Sequence, residues 1–257
     1  MTNIEVSILN PEAVAEAEKM MVCAARLTQR GPRIKNLADF MALYERNYTQ
    51  NTVNTMTKLP HPTIQKFGVI NAVVIGASRR FLAQITRHQN EVKFMSASLQ
   101  YSDYSGAADF VVPYEVMEKG EVVERLYLNA CEKAMEQYKW LVETGIDHDA
   151  AGYVAPQSLR NVLIISATLY QWKHMIGQRI CRRNPAETRY VMLRIWEQLY
   201  ELNPTMFSMK TTGAFCLQER CKEGTMSCRE SFDAYHAEPF SPTLILEEDF
   251  PLLTGKP

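Results

Sequence analysis

The chain has 257 residues, 46% hydrophobic and 22% charged, with a formal net charge of −1. This composition excludes a disordered or collagen-like chain, and the near-zero charge excludes a whole-chain basic field that would hold a nucleic-acid polymer. No run approaches the ~18 consecutive apolar residues of a membrane span, and the start MTNIEVSILNPEAVAEAEKMM lacks the basic-then-apolar pattern of a secretory signal. A cytoplasmic protein with its six cysteines reduced is therefore expected.

Residues 11–28 carry Val14, Ala17, Met20, Met21 and Ala24 at helical spacing, which predicts a helix capped by Asn10 with Pro11 in its first position. A shorter helix is expected over 37–46. The Val- and Ile-rich stretch 65–76 reads as a strand, followed by a helix over 78–89 that Ser78 caps. Residues 90–106, rich in serine and tyrosine, read as a loop, and 108–113 as a short strand. Long helices are expected over 115–144, from Pro156 to Arg179, and over 186–202. The last 40 residues read as irregular. The whole is expected to form one domain over 1–257, α+β in class, with few strands and long helices.

Three places suggest chemistry. Gln84, Arg87 and His88 share one helix face by their spacing of three and four, and the Ser-rich run after Gln89 adds hydroxyls. Such a helix end suits an anion such as phosphate, and equally suits a solvated Arg paired with a carboxylate. Thr168, His174 and Arg179 are polar positions in an apolar segment, with Arg182 and Arg183 just beyond. Cys216, Cys221 and Cys228, with His236 further on, are spaced unlike paired zinc ligands, so free thiols are favoured over a metal. Glycine-rich dinucleotide fingerprints, P-loops, H-E-x-x-H and G-x-S-x-G are absent from the sequence.

An ordered series of patches over about residues 61–228 resembles the flavin-dependent thymidylate synthases. His61-Pro62-Thr63 resembles a G-H-x-S/T segment. Gln84-Ile85-Thr86-Arg87-His88-Gln89, followed by Ser98 and Gln100-Tyr101, resembles the family's R-H-R motif with its serine and R-Y pair. Ala155-Pro156 to Arg179 resembles the L-P segment and the functional arginine at its fixed distance. Cys181, Ala186-Glu187 and the run from Gly213 to Cys228 resemble the downstream pattern. Several family positions differ. Gln89 replaces the last motif arginine, Gln100 the next one, and Gly152 an arginine ahead of the L-P segment. Lys66 stands at an acidic position and His174 at an asparagine. Arg160, Arg182, Arg183 and Lys93 are the candidates to make up the lost positive charge.

The resemblance implies a thymidylate synthase-complementing-protein-like fold with a mixed sheet, assembled as a homotetramer with shared sites and an irregular tail from about residue 214. It implies FAD, NADPH and methylenetetrahydrofolate as cofactors, and dUMP or a related pyrimidine nucleotide as the methylated partner. No metal, membrane or nucleic-acid polymer is implied. Transferred residue by residue, it makes Arg179, Arg87 and His88 catalytic. His61, Thr63, Arg87, His88, Gln89, Thr168 and His174 become cofactor-binding; Gln84, Ser98, Gln100, Tyr101 and Arg179 become substrate-binding. A nucleophilic Cys181 is not required, since a reduced flavin supplies the hydride.

Overall fold

A computed structural model of the protein describes every residue except 107–108, 219–220, 222, 229–236 and 256–257. The chain begins with β1 (Glu5–Ile8), α1 (Glu12–Arg30), α2 (Leu37–Tyr44) and α3 (Gln50–Thr57). A 3₁₀ turn at Pro62–Gln65 leads to β2 (Val69–Ser78), α4 (Arg79–Ile85) and β3 (Val92–Ser96). Then come α5 (Tyr114–Met117), α6 (Glu121–Glu143), α7 (His148–Ala151), β4 (Arg160–Thr168), α8 (Leu169–Arg179) and α9 (Ala186–Leu202). The C-terminal part holds α10 (Met209–Thr212), α11 (Phe215–Gln218), α12 (Pro242–Asp249) and α13 (Pro251–Thr254).

The four strands form one sheet in the order β1-β2-β4-β3, antiparallel at every pairing rather than mixed. One face carries Ile70, Ala72, Val74, Leu163 and Ile165 into the main core, where they meet Trp172, Met175, Ile176, Val191, Ile195 and Trp196 of α8 and α9. Removing these side chains from water is the main force holding the helices to the sheet. A smaller cluster of Leu99, Phe110, Cys131, Met135, Tyr138 and Leu159 lies under α6.

The largest departure from the sequence reading is in 156–179. The first half of the expected helix is β4, because Val162, Ile164, Ile165 and their neighbours alternate between exposed and buried. The helix begins only after Thr168, whose side chain accepts from Gln171 N. Likewise 90–106 is not all loop, since β3 adds an edge strand beside β4. The strand expected over 65–76 starts later, at Val69, behind the 3₁₀ turn. Gly120, at φ 83°, divides the expected 115–144 helix into α5 and α6, a conformation that suits glycine. Around 108–113 the only described pairing is one bridge between Phe110 and Leu159. Asn10 does not cap α1. Its amide accepts from Asn71 N at 2.7 Å and donates to Val69 O at 3.0 Å, tying the chain to β2. The tail is less irregular than expected: α12 packs on α9, and Asp249 pairs with both Arg182 and Arg189.

Ser78 does cap α4, accepting from Phe81 N at 3.1 Å while its hydroxyl donates to Glu187 of α9 at 2.5 Å. The helix ends at Ile85 rather than at 89, so Arg87, His88 and Gln89 project from the turn that follows.

Candidate active site

β2 and β4 are antiparallel neighbours, with Val69 opposite Thr168 and Ser78 opposite Arg160. The helices that follow them therefore start from opposite ends of the strand pair. They run back over the buried face and meet at their C-terminal ends. Those ends carry unsatisfied carbonyls and the negative pole of each helix dipole, an environment that favours cations. Arg179 closes α8 there. Its Nη2 donates to Gln84 O of α4 at 2.9 Å, its Nη1 to Asn184 Oδ1 at 3.5 Å, and its Nε to His88 Nε2 at 2.9 Å.

The last bond fixes the state of the histidine, because a nitrogen that accepts cannot carry a proton. His88 is buried, and burial first, then Arg179 and His174, lower its pKa to about 4. A neutral imidazole thus holds the guanidinium. Burial and the charge of Arg87 lower the Arg179 pKa from its usual value. His174 stands edge-on to His88, with centroids 5.9 Å apart, and its other side meets Phe215 at 5.5 Å. Phe215 comes this close because Gly177 has no Cβ: one built there would lie 2.7 Å from the Phe215 ring.

Two cavities flank the cluster and share Tyr170 and His174. One of about 550 Å³ is lined by Lys66, Gln89, Asn90, Glu91 and Gln171 as well. Glu91 there accepts from Thr168 Oγ1 at 3.0 Å and pairs with Lys66 at 2.5 Å. Lys66, at the family's acidic position, thus finds its carboxylate on the chain beyond the motif turn. The other cavity, about 630 Å³, is bounded by the Lys58–Gln65 segment, α8 and α10–α11.

Arg87, His88, Arg179, His174 and the backbone of Gln84 are thus brought together, and Gln89 and Thr168 lie at the adjoining cavity. The Gln84 side-chain oxygen is spent on Thr188 of α9. Thr168 sits at a strand end capping α8, not within a long helix. His61 and Thr63 are exposed on the 3₁₀ turn; their neighbours Pro60, Pro62 and Gln65, rather than they, line the larger cavity. Ser98, Gln100 and Tyr101 follow β3 in an exposed turn, where Ser98 Oγ accepts from Gln100 N at 3.1 Å. Nothing joins these three to Arg179 within the described chain. Tyr101 is 83% exposed.

The candidates for replacing the lost arginines are engaged elsewhere. Arg160 pairs with Asp109 and donates to Gly76 O, Arg182 pairs with Glu248 and Asp249, and Arg183 pairs with Glu223 and donates to Met226 O. Lys93 is exposed on β3. All six cysteines are free thiols, and burial and its neighbours Cys181, Cys221 and Cys228 push the Cys216 thiol up. Among the described residues no group of His, Cys, Asp and Glu is arranged to hold a metal ion; His236 lies outside them. No helix among them is long and apolar enough to cross a membrane. Sequence reading missed Tyr170, Lys173 and the Lys66–Glu91 pair. The signal for Lys173 was a lysine on the apolar stripe of α8.

A small antiparallel sheet whose strands feed helices into a cationic cleft matches a known group. The family model for thymidylate synthase complementing protein matches residues 12–205, and the chain belongs to that family. A flavin-dependent thymidylate synthase of Geobacter sulfurreducens is 25% identical over 216 residues, 83% of this chain and 89% of the relative. That of Pyrococcus abyssi is 26% identical over 164 residues, 62% of this chain and 66% of the relative. Among solved structures, the UMP/dUMP methylase PolB from Streptomyces cacaoi, bound with 5-Br dUMP, matches with a TM-score of 0.64. It is 17% identical and covers 83% of this chain and 97% of that one, which shows the shared fold.

Proposed function

We propose that the protein is a flavin-dependent thymidylate synthase. In this reading it methylates dUMP at C5 using methylenetetrahydrofolate as the carbon donor, FAD as the redox cofactor and NADPH as its reductant. The observation that carries the reading is the Arg179 guanidinium, held by neutral His88 and the Gln84 carbonyl, with His174, edge-on to His88, lining two ligand-sized cavities. The residues present fit a flavin dinucleotide: the cleft is cationic and the neighbouring cavity is lined by amides and a tyrosine. When bound, the flavin supplies a hydride, which with the folate methylene becomes the new methyl group.

The chain's own residues do the rest. Arg179 faces the pyrimidine and stabilises negative charge on a uracil carbonyl as C5 becomes the nucleophile. His88 keeps that guanidinium in place and is not itself a proton donor near neutral pH. Arg87, the exposed cation of the pair, holds phosphate or the flavin edge, with Gln89 beside it. Thr168 and His174 shape the cofactor wall. Gln84, Ser98, Gln100 and Tyr101 meet the nucleotide, the last three on a turn that borders a neighbouring subunit; His61 and Thr63 meet FAD.

The assembly expected is a homotetramer. In its support, the second sheet face exposes an apolar patch beside the polar row Asn71, Ser166 and Lys93: Val162, Ile164, Ile75 and Met95 are 43, 42, 43 and 72% exposed, and Ile164 pairs with Val73 and Met95 across three strands. A patch of that kind marks an interface. A second reading, methylation of UMP, is favoured by the likeness to a UMP/dUMP methylase and by Gln100 at an arginine position.

The test is the visible spectrum of the purified protein with FAD, followed by anaerobic NADPH with dUMP or UMP and a direct methylation assay. A flavin band that NADPH bleaches, with methyl transfer to dUMP alone, is the expected result. Arg87→Ala should lose FAD with the fold kept, and Arg179→Lys should keep FAD but lose about 10²-fold or more in methyl transfer. Turnover of UMP would establish the second reading. A folded protein that binds no FAD would overturn both.

A further inference from the structure

The larger cavity is lined by Lys58, Lys173, Lys210 and His174, and no Asp or Glu is among its described lining residues. The three lysines come from separate parts of the chain: the segment after α3, the middle of α8, and α10. Lys173 is the unusual one. It is 6% exposed on the inward face of α8, and its Nζ donates to the neutral amide oxygen of Gln65 at 2.9 Å, with the Phe207 ring 6.0 Å away. Gln65 is itself buried and fixed by donating to Thr57 O at 3.3 Å. A buried ammonium is normally matched by a carboxylate. Here the matching acceptor is one amide, and burial alone pulls the amine down to about 7.

We propose that this cavity is a phosphate site, with Lys173 as the residue that recognises a pyrophosphate group. Three point-like ammonium groups around one space of about 630 Å³ complement a multiply charged anion better than a single carboxylate. Thr57 and Thr211 add polar groups to the wall, and Gln218 closes it from α11. An entering anion stabilises the charged form of Lys173, which has no counter-ion among the described residues of the cavity wall. The cavity shares Tyr170 and His174 with the cavity of about 550 Å³ that Gln89 lines, so a dinucleotide that spans the two can place its ring beside Gln89 and its pyrophosphate on the lysines. The site also answers where the chain puts the positive charge that Arg160, Arg182 and Arg183 do not supply. The inference rests on the proposed flavin site only for which molecule carries the phosphates.

The test is titration calorimetry of the full chain, as purified, with inorganic pyrophosphate. Wild type should bind it, and Lys173→Met should bind about tenfold more weakly or worse. Lys58→Gln with Lys210→Gln, both at the rim, should weaken binding without touching the core, which covers the case of a misfolded Lys173 variant. If FAD competes with pyrophosphate, the flavin carries the phosphates; if the FAD-loaded protein still binds pyrophosphate, a second phosphorylated ligand does. Both results support the site. Absence of binding to wild type, or equal binding by Lys173→Met and by the rim double variant, would overturn it. The flavin spectrum of the same samples is read separately, so a protein that binds FAD but not pyrophosphate loses only this inference. One that binds pyrophosphate through Lys173 but no FAD loses only the flavin reading.

Discussion

His88 accepts a hydrogen bond from Arg179, and an imidazole can do so only while that nitrogen is unprotonated. The consequence is a pH window. The folded-state pKa lies near 4, against an ordinary value of 6.5, so between these values the unfolded chain binds a proton that the folded chain refuses. Stability therefore falls as pH drops through this range and levels off below it. Denaturant titrations at pH 7 and pH 5 should show a loss in wild type that is smaller in His88→Gln, which keeps an acceptor but does not titrate. The difference should be about 1 kcal/mol once solvent screening is allowed for. At this scale the sequence was informative about identity and poor about environment. Arg87, His88 and Arg179 were legible through the family resemblance, because it rests on residue types in chain order; spacing alone left a solvated ion pair open. Lys173 was not, because its meaning lies in Gln65, a residue more than a hundred positions away.

Thr168 joins β4 to α8 and makes two bonds, accepting from Gln171 N and donating to Glu91. Thr168→Ala should cost about 1–2 kcal/mol in denaturant unfolding, and Thr168→Ser should restore most of it. The junction explains why 156–179 reads as one helix. β4 is Ile- and Val-rich and half-buried, and a short apolar run of this kind is ambiguous between strand and helix by periodicity alone. The helix over 186–202 was legible because its apolar stripe is long and it starts at Pro185-Ala186, and its bounds agree with α9. β3 was hidden for another reason. As an edge strand facing solvent on one side, its serine, lysine and methionine carry little alternation.

At the scale of the molecule, the described residues cover the sheet on one face only. A lysine in the centre of the bare face places a charge where a partner's side chains are expected to pack. Ile164→Lys should therefore lower the sedimenting mass from four times the 29.4 kDa chain to that of a smaller species. A wild-type protein that sediments as a single chain would contradict the shared-site reading. The α+β class and the chain order of α1, α2, α4, α6 and α9 were legible in the sequence. The antiparallel order β1-β2-β4-β3 was not, because strand order depends on contacts between residues 64 to 99 positions apart.

The opposed strands of β2 and β4 also set a length. Each carries its helix from one end of the pair, so the gap between the helix tips is a difference between two strand lengths. The strands are thus the ruler of the site. Two residues added within β4 advance its end by about 7 Å, more than twice the reach of the Arg179–His88 bond. The loop over 97–106 connects without measuring; doubling it costs only about 0.6 kcal/mol of closure entropy. Changes of chain length are therefore absorbed in that loop, while the spacing from Val69 to Ser78 and from Arg160 to Arg179 is held by the bond it has to close.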